Sequence, residues 1–338
     1  MREILQALID GEDLTAGRAE VAMTTIMEGN ATAAQIAAFL VALRIKGETV
    51  DEIVGFAQAM RAAANPLDLG RPDAVDTCGT GGDGAGTFNV STTAALIAAG
   101  AGVPIAKHGN RAVSSASGSA DVLEALGVRL VDSAVDLRKS LNAAGIAFLF
   151  APAQHPAMRH AIGPRRELGV RTVFNLLGPL TNPAGARRQV VGVYDPRLVE
   201  PLARVLGRLG AVHAVVVHGA GGLDEISTFG PTTASEWRDG VLRTFEIEPG
   251  ELGFELAARD AVTGGSPAEN AQHVREVLGG AVGPRRDLAV INAGAAIYVG
   301  GAADDLRSGI AAATSSIDSG AARAALEALV DATAGDAS

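Results

Sequence analysis

The chain has a single cysteine, Cys78, so no internal disulfide can form, which fits a reducing compartment. Aromatic residues are scarce, at 4% against 48% hydrophobic overall. The core must therefore be Ala, Val, Leu and Ile, a profile that suits helices packed closely on a parallel sheet. No apolar run approaches the length of a membrane span. The start, Met1-Arg2-Glu3-Ile4-Leu5 and then Asp10-Gly11-Glu12-Asp13, is charged where a secretion signal needs an apolar core, so a cytoplasmic protein is expected. Positive charge is in deficit, and the net −10 argues against long contacts with nucleic acid or acidic membranes. The tripeptide Gly-Lys-Ser/Thr is missing, which excludes a Walker loop. At 338 residues the chain suggests two domains.

What is present in abundance is glycine, concentrated in Asp76-Thr77-Cys78-Gly79-Thr80-Gly81-Gly82-Asp83-Gly84-Ala85-Gly86-Thr87-Phe88-Asn89-Val90-Ser91-Thr92-Thr93. The stretch reads as a strand end, a loop and a helix start. Glycines let backbone N–H groups face a bound group, and the helix adds its unpaired N–H groups and positive dipole end, which together make a phosphate cradle. Asp83 inside an anion site costs repulsion unless a divalent cation intervenes, so a magnesium-bound polyphosphate is expected. Gly79, Gly81 and Gly84 also satisfy a dinucleotide fingerprint. That fold wants an acidic residue at the end of the next strand, where this chain has Lys107-His108. As a bare pattern the loop is weak evidence, and a turn that merely needs glycines is the lesser alternative.

Residues 1 to about 64 read as helices only, with capping boxes at Thr32-Ala33-Ala34-Gln35 and Thr49-Val50-Asp51-Glu52 leading into 3.6-period stripes. Asn65-Pro66 and Gly70-Arg71-Pro72 break the pattern as a hinge-like linker. From residue 74 strands alternate with helices: strands at 75–78, 103–106, 146–150, 189–194 and 214–218, helices at 92–99, 120–126, 135–144 and 198–209. This implies an α/β fold, a small helical domain at 1–70 and a larger one at 71–338 with a mostly parallel sheet, whose ligands lie off the C-terminal strand ends. Helices from about 165–185 are expected to pack on the helical part.

The loops after those strands are polar. Lys107-His108-Gly109-Asn110-Arg111 offers cations with neutral donors for phosphate. Arg165 has a guanidinium fork suited to a carboxylate. Asp224-Glu225, on a glycine loop, are hard oxygen ligands for magnesium or, on spacing alone, a solvated turn. A short antiparallel pair between Trp237 and about residue 248 reads as peripheral, and the tail beyond Leu329 as frayed.

Asp76 to Asp83, Lys107 to Arg111, Leu176-Leu177-Gly178-Pro179-Leu180-Thr181-Asn182-Pro183 and Leu223-Asp224-Glu225 resemble the anthranilate phosphoribosyltransferases of tryptophan biosynthesis. The likeness extends to Asn292-Ala293-Gly294-Ala295-Ala296 and Ile317-Asp318-Ser319-Gly320, essentially the whole chain. It implies a magnesium-dependent transfer of phosphoribosyl from phosphoribosyl pyrophosphate to anthranilate. By that resemblance the donor would meet Gly79, Gly82, Asp83, Thr87, Asn89, Val90, Ser91 and Thr92. The rest of its site would be Lys107, His108, Gly109, Asn110, Arg111, Ala112, Val113, Ser114, Ser115 and Ser119. Anthranilate would meet Gly79, Asn110 and Arg165, with His108 and His155 lining its tunnel. Ser91, Asp224 and Glu225 match magnesium positions, for two ions per site, and a homodimer through the helical domain is implied. A pyrimidine nucleoside phosphorylase, which carries Ser-Thr-Gly where this chain has Gly109-Asn110-Arg111, and a non-catalytic nucleic-acid-binding relative are the alternatives.

Overall fold

The structure is a computed structural model and describes residues 1–112 and 116–334. Its first part is α1 (Arg2–Ile9), α2 (Ala16–Met27), α3 (Ala33–Lys46) and α4 (Val50–Ala62). Both expected capping boxes form: the Thr32 and Thr49 hydroxyls accept from the N–H groups of Gln35 and Glu52, whose side chains reach back. Apolar faces of these helices meet around Phe39 and Phe56, whose rings pack edge to face at 5.5 Å.

The remainder carries strands β1 (Val75–Gly79), β2 (Ile105–Gly109), β3 (Ile146–Phe150), β4 (Arg188–Gly192), β5 (His213–Gly219), β6 (Thr232–Arg238) and β7 (Val241–Ile247). Around them lie α5 (Val90–Gly100), α6 (Ser119–Leu126), α7 (Ala134–Ala144), α8 (Ala151–Gln154), α9 (Arg159–Leu168), α10 (Phe174–Leu177) and α11 (Val199–Arg208). The chain closes with α12 (Pro267–Leu278), α13 (Pro284–Gly300), α14 (Leu306–Asp318) and α15 (Ala321–Thr333). The sheet order is β3-β2-β1-β4-β5-β6-β7, parallel as far as β5 and antiparallel beyond. Strand alternation sorts the two faces: Val190, Val215 and Val217 pack with α5 and α13, while Val191, Ala214 and Val216 pack with α11 and the N-terminal helices. Sheet order reverses at β1, and the crevice between the C-terminal ends of β1 and β4 is the switch point where ligands of such folds sit.

Four expectations need correction. The second strand is Ile105–Gly109, so Lys107 and His108 lie within it and are buried, not on a following loop. Their charge misled the periodicity reading, because their partners come from the neighbouring strand. The antiparallel pair starts at Thr232 and extends the main sheet through β5. Its two-residue turn, Asp239-Gly240, has positive φ at both positions, the geometry that Asp-Gly favours. The 65–72 linker is tied down: Asn65 N–H donates to the Gln154 carbonyl, Leu67 N–H to that of Pro183, and Leu67 and Leu69 are buried. The last helix continues past Leu329 to Thr333, whose hydroxyl accepts from Arg129 N–H. Ala161, Val173, Phe174, Leu176, Leu177 and Leu180 share one core with α1–α4.

Candidate active site

Gly79 and Gly192 end β1 and β4 side by side. A side chain on either would overlap Asp224, from the loop after β5. These two positions have no Cβ because the acidic loop lies directly across both strand ends. Asp224 accepts from Gly81 N–H at 2.8 Å, and Glu225 from Ser91 N–H, in the first turn of α5, at 3.2 Å. The glycine loop, the helix start and both acids therefore converge. Asp83 stands close enough to Asp224 to raise its pKa, while accepting from Ala85 N–H.

Farther along, the glycine loop is pinned by Phe88 N–H to the Val262 carbonyl and by a one-residue bridge between Thr87 and Thr263. The Asn89 side chain bonds Ser117 and Asn270. These contacts fix how the loop enters α5, where Thr92 keeps a buried hydroxyl without a partner among the described residues.

The acid pair is electrostatically costly. Burial, then repulsion from Asp83, pushes the Asp224 carboxyl up to about 7. Burial, then Asp224 and Asp83, holds Glu225 well above its ordinary value. Glu225 Oε2 is buried with no partner among the described residues. Next to it is a cavity of about 20 Å³, lined by Ser91, Asp224, Glu225 and Asn292 and also by the apolar side chains of Ala94, Val190 and Val217, large enough for one water-sized occupant. Hard oxygens, an orphaned carboxylate atom and an ion-sized hole fit a divalent cation. Among the described residues no three His, Cys, Asp or Glu groups cluster as a metal site. An ion here would complete its shell with water and ligand oxygens, as magnesium does.

Under this pair lies a second buried charge. Lys107 is 2% exposed, and its ammonium donates to the Thr77 carbonyl and, at 3.4 Å, to Ser91 Oγ. Burial lowers its pKa and raises that of Asp76, and their mutual attraction opposes both shifts. Asp76 is held by His108 N–H at 3.0 Å and Asn182 Nδ2 at 2.8 Å. Lys107 thus acts on the site from beneath, through Ser91.

The histidines form a separate wall. His108 and His155 have ring centroids 5.2 Å apart, and Nε2 of each is buried without a partner among the described residues. His108 Nδ1 lies 3.2 Å from the Gly178 carbonyl, which only accepts, so Nδ1 carries the proton. Burial, with His155 beside it, takes His108 down to about 3, and burial lowers His155 too, so both rings are neutral. Arg165, half-buried, stacks over Phe174 at 4.9 Å, and burial lowers its pKa.

Asn110 and Ser119 hold each other, Ser119 Oγ accepting from Asn110 N–H. Arg111 is paired with Asp121 and Glu124, and Ala112 N–H donates to Asp121. Val113, Ser114 and Ser115 lie outside the described residues.

The roles of two residues are not visible in the sequence. Arg171, after the left-handed Gly169 cap of α9, donates to the Gly82 carbonyl at 3.1 Å and stacks on Tyr194 at 4.4 Å. One arginine among four in a Gly-Pro-rich junction, with Arg159, Arg165 and Arg166, was its only signal. Asn292 accepts from Ile226 N–H and donates to the Ile226 and Leu288 carbonyls, clamping the acidic loop to α13. An asparagine inside an otherwise apolar helical run was the sign of it.

Residues 2–64 match the glycosyl transferase family helical bundle domain, and residues 71–323 the a/b domain of the same family. The chain is 54% identical to an anthranilate phosphoribosyltransferase of Symbiobacterium thermophilum, covering 97% of this chain and 96% of that one. It is similar to the crystal structure of the Thermus thermophilus enzyme of that name, with TM-score 0.92, 45% identity and coverage of 98% and 99%. The Saccharomyces cerevisiae enzyme in complex with PRPP and Mg superposes at TM-score 0.88, with 31% identity and coverage of 98% and 97%. The yeast enzyme is also known in complex with 4-fluoroanthranilate.

Proposed function

The chain belongs to the anthranilate phosphoribosyltransferases, and from that premise we propose how its own residues carry the reaction. The activity belongs to tryptophan biosynthesis: phosphoribosyl pyrophosphate and anthranilate give N-(5-phosphoribosyl)anthranilate and pyrophosphate. The observation carrying the proposal is the convergence of Asp224, held by Gly81 N–H, and Glu225, held by Ser91 N–H with its other oxygen unpartnered among the described residues, beside an ion-sized hole.

Gly79, Gly82, Asp83, Thr87, Asn89, Val90, Ser91 and Thr92, with Lys107 to Ala112 and Ser119, form the donor site. Val113, Ser114 and Ser115 belong to the same proposal on sequence grounds. Ser91, Asp224 and Glu225 would hold magnesium, as two ions. When bound, magnesium neutralises charge on the phosphate oxygens and the leaving pyrophosphate.

The bond from the anomeric carbon to the pyrophosphate oxygen breaks, its electron pair leaving with pyrophosphate. The anthranilate nitrogen forms the new bond from the opposite face and loses one proton to water or to the departing pyrophosphate. Loop amides and the α5 N-terminus stabilise charge growing on the leaving group. Lys107 contributes by its field and by orienting Ser91. Arg165 would grip the anthranilate carboxylate and Asn110 its neighbourhood, with Gly79 alongside. His108 and His155 would wall the ring as neutral imidazoles, so that positioning supplies much of the rate.

Two further points belong to the proposal. A homodimer through the helical domain is supported by Ile9, Val21, Val41 and Ile45, all exposed on α1–α3. No helix among the described residues is long and apolar enough to cross a membrane; together with the lone thiol, this supports a cytoplasmic location.

Loss of anthranilate fluorescence on adding phosphoribosyl pyrophosphate and magnesium tests the reaction, and unchanged fluorescence overturns it. Arg165→Ala should raise the anthranilate KM about 10- to 100-fold, the worth of a charged hydrogen-bonded contact. Equal effects on both KM values would show the residue is misplaced.

A further inference from the structure

Where β5, the β6–β7 hairpin, α13 and the start of α14 meet, there is a cavity of about 270 Å³, separate from the site above. Ile226, Ile247, Ala295 and Leu306 give it aliphatic walls, and Phe245 and Tyr298 give it aromatic ones. Three charged groups line it too. Arg243 stacks on Phe245 at 4.8 Å and gives Nε to Glu236, leaving its terminal amino groups without a partner among the described residues. Arg307 gives one amino group to the Glu251 carbonyl. Asp305 caps α14 through Oδ1, and its other oxygen has no partner among the described residues.

Each simpler guest leaves something unmatched. An apolar molecule ignores both guanidinium groups, and a lone carboxylate would face Asp305. A body of apolar or aromatic character with one carboxylate and one ammonium answers all three charges. We propose that this cavity binds an α-amino acid with a large apolar, preferably aromatic, side chain, and that its occupancy is felt at the acidic loop.

The route to that loop is short. Ile226 directly follows Glu225 and is the residue Asn292 clamps at both its N–H and its carbonyl. Ala295 lies three residues beyond Asn292, on the same face of α13. Val215, which lines this cavity, and Val217, which lines the ion-sized hole, alternate onto one face of β5. Both spaces therefore open on one seam between β5 and α13. Coupling along it is reciprocal: the factor by which the amino acid changes magnesium affinity equals the factor by which magnesium changes amino-acid affinity. This coupling clause rests on the magnesium role proposed above, whereas the binding clause does not.

The test is calorimetric titration of the full chain, without substrates, with L-phenylalanine and L-tryptophan. Indole, with neither charge, and 3-phenylpropionate, lacking the ammonium, are the comparisons. One amino acid per chain is expected, with both comparison compounds at least about ten-fold weaker. Ala295→Leu, which fills the chamber, and Arg307→Glu, which reverses one charge, should each weaken binding at least about ten-fold. Turnover without amino acid should stay within about two-fold in Arg307→Glu. Should Ala295→Leu fail to fold, exposed Arg307→Glu still decides. No heat from either amino acid up to about 10 mM, or undiminished binding by Arg307→Glu, overturns the site. Magnesium affinity unchanged at saturating amino acid overturns the coupling. An inactive chain that still binds the amino acid refutes the reaction and leaves this site standing.

Discussion

Two glutamates at neighbouring strands of one sheet have opposite fates. Glu236, in β6, receives His213 Nε2 at 2.8 Å, the Tyr298 hydroxyl at 2.6 Å and Arg243 Nε at 2.7 Å. Burial alone would raise its pKa, but these donors bring it down to about 2. Glu225, just after β5, has among the described residues one donor, Ser91 N–H, and an orphaned oxygen, and is held well above its ordinary value. A buried carboxylate with all its partners in the protein is part of the fold. One that lacks them, beside a second acid and an ion-sized hole, is stored repulsion that a cation relieves.

The comparison can be broken most sharply at the acid pair. Asp224→Asn with Glu225→Gln should cost turnover at least about 100-fold, while metal-free thermal unfolding shows equal or higher stability, since buried repulsion is removed. Full activity with a lowered Tm would reverse the assignment. Glu236→Ala should do the converse, losing about 3 kcal/mol in urea unfolding by stripping partners from His213, Tyr298 and Arg243. Its turnover per folded molecule should stay within about two-fold; a selective loss of activity would show that the hairpin network is not merely structural.

A third expectation uses pH. Between the ordinary value 3.8 and about 7, native Asp224 keeps a proton that the unfolded chain has released. Stability of the metal-free protein should therefore fall as pH rises through this range, by up to about 1.4 kcal/mol per unit. Glu236 has the opposite sign: its contribution is complete above 4.5 and disappears as pH falls through about 2. Urea unfolding at pH 5 and pH 7, with and without magnesium, reads the first slope, which Asp224→Asn should flatten. A slope unchanged in that variant would assign it elsewhere. The smallest effect belongs to an exposed contact. Arg171→Ala should raise the phosphoribosyl pyrophosphate KM about five-fold, the worth of one ordinary hydrogen bond. An unchanged value would leave Arg171 as a tether of Tyr194 alone.

Much of the fold was legible because its signals are local. The capping boxes at Thr32 and Thr49 formed as read, and β3 matched to the residue. The end of the second strand was misread because Lys107 and His108 look like a loop until Asp76, 31 and 32 residues away in the chain, is set beside them. The hairpin was placed late, although Asp239-Gly240 marks its turn. In the site, the residue types of the glycine loop and of Asp224-Glu225 were visible. Their convergence was not, nor were the roles of Arg171 and Asn292, because each depends on a partner far off in sequence.

The amino-acid order alone determined the helices and their caps, the phosphate-loop composition, the acid pair and the family likeness, since each depends on residues within a few positions of one another. Only the tertiary structure decided which carboxylate would be satisfied. The donors of Glu236 come from β5, β7 and α13, Asp224 reaches the glycine loop across 143 residues, and the cost of a buried charge is set by the partners and water that packing leaves around it.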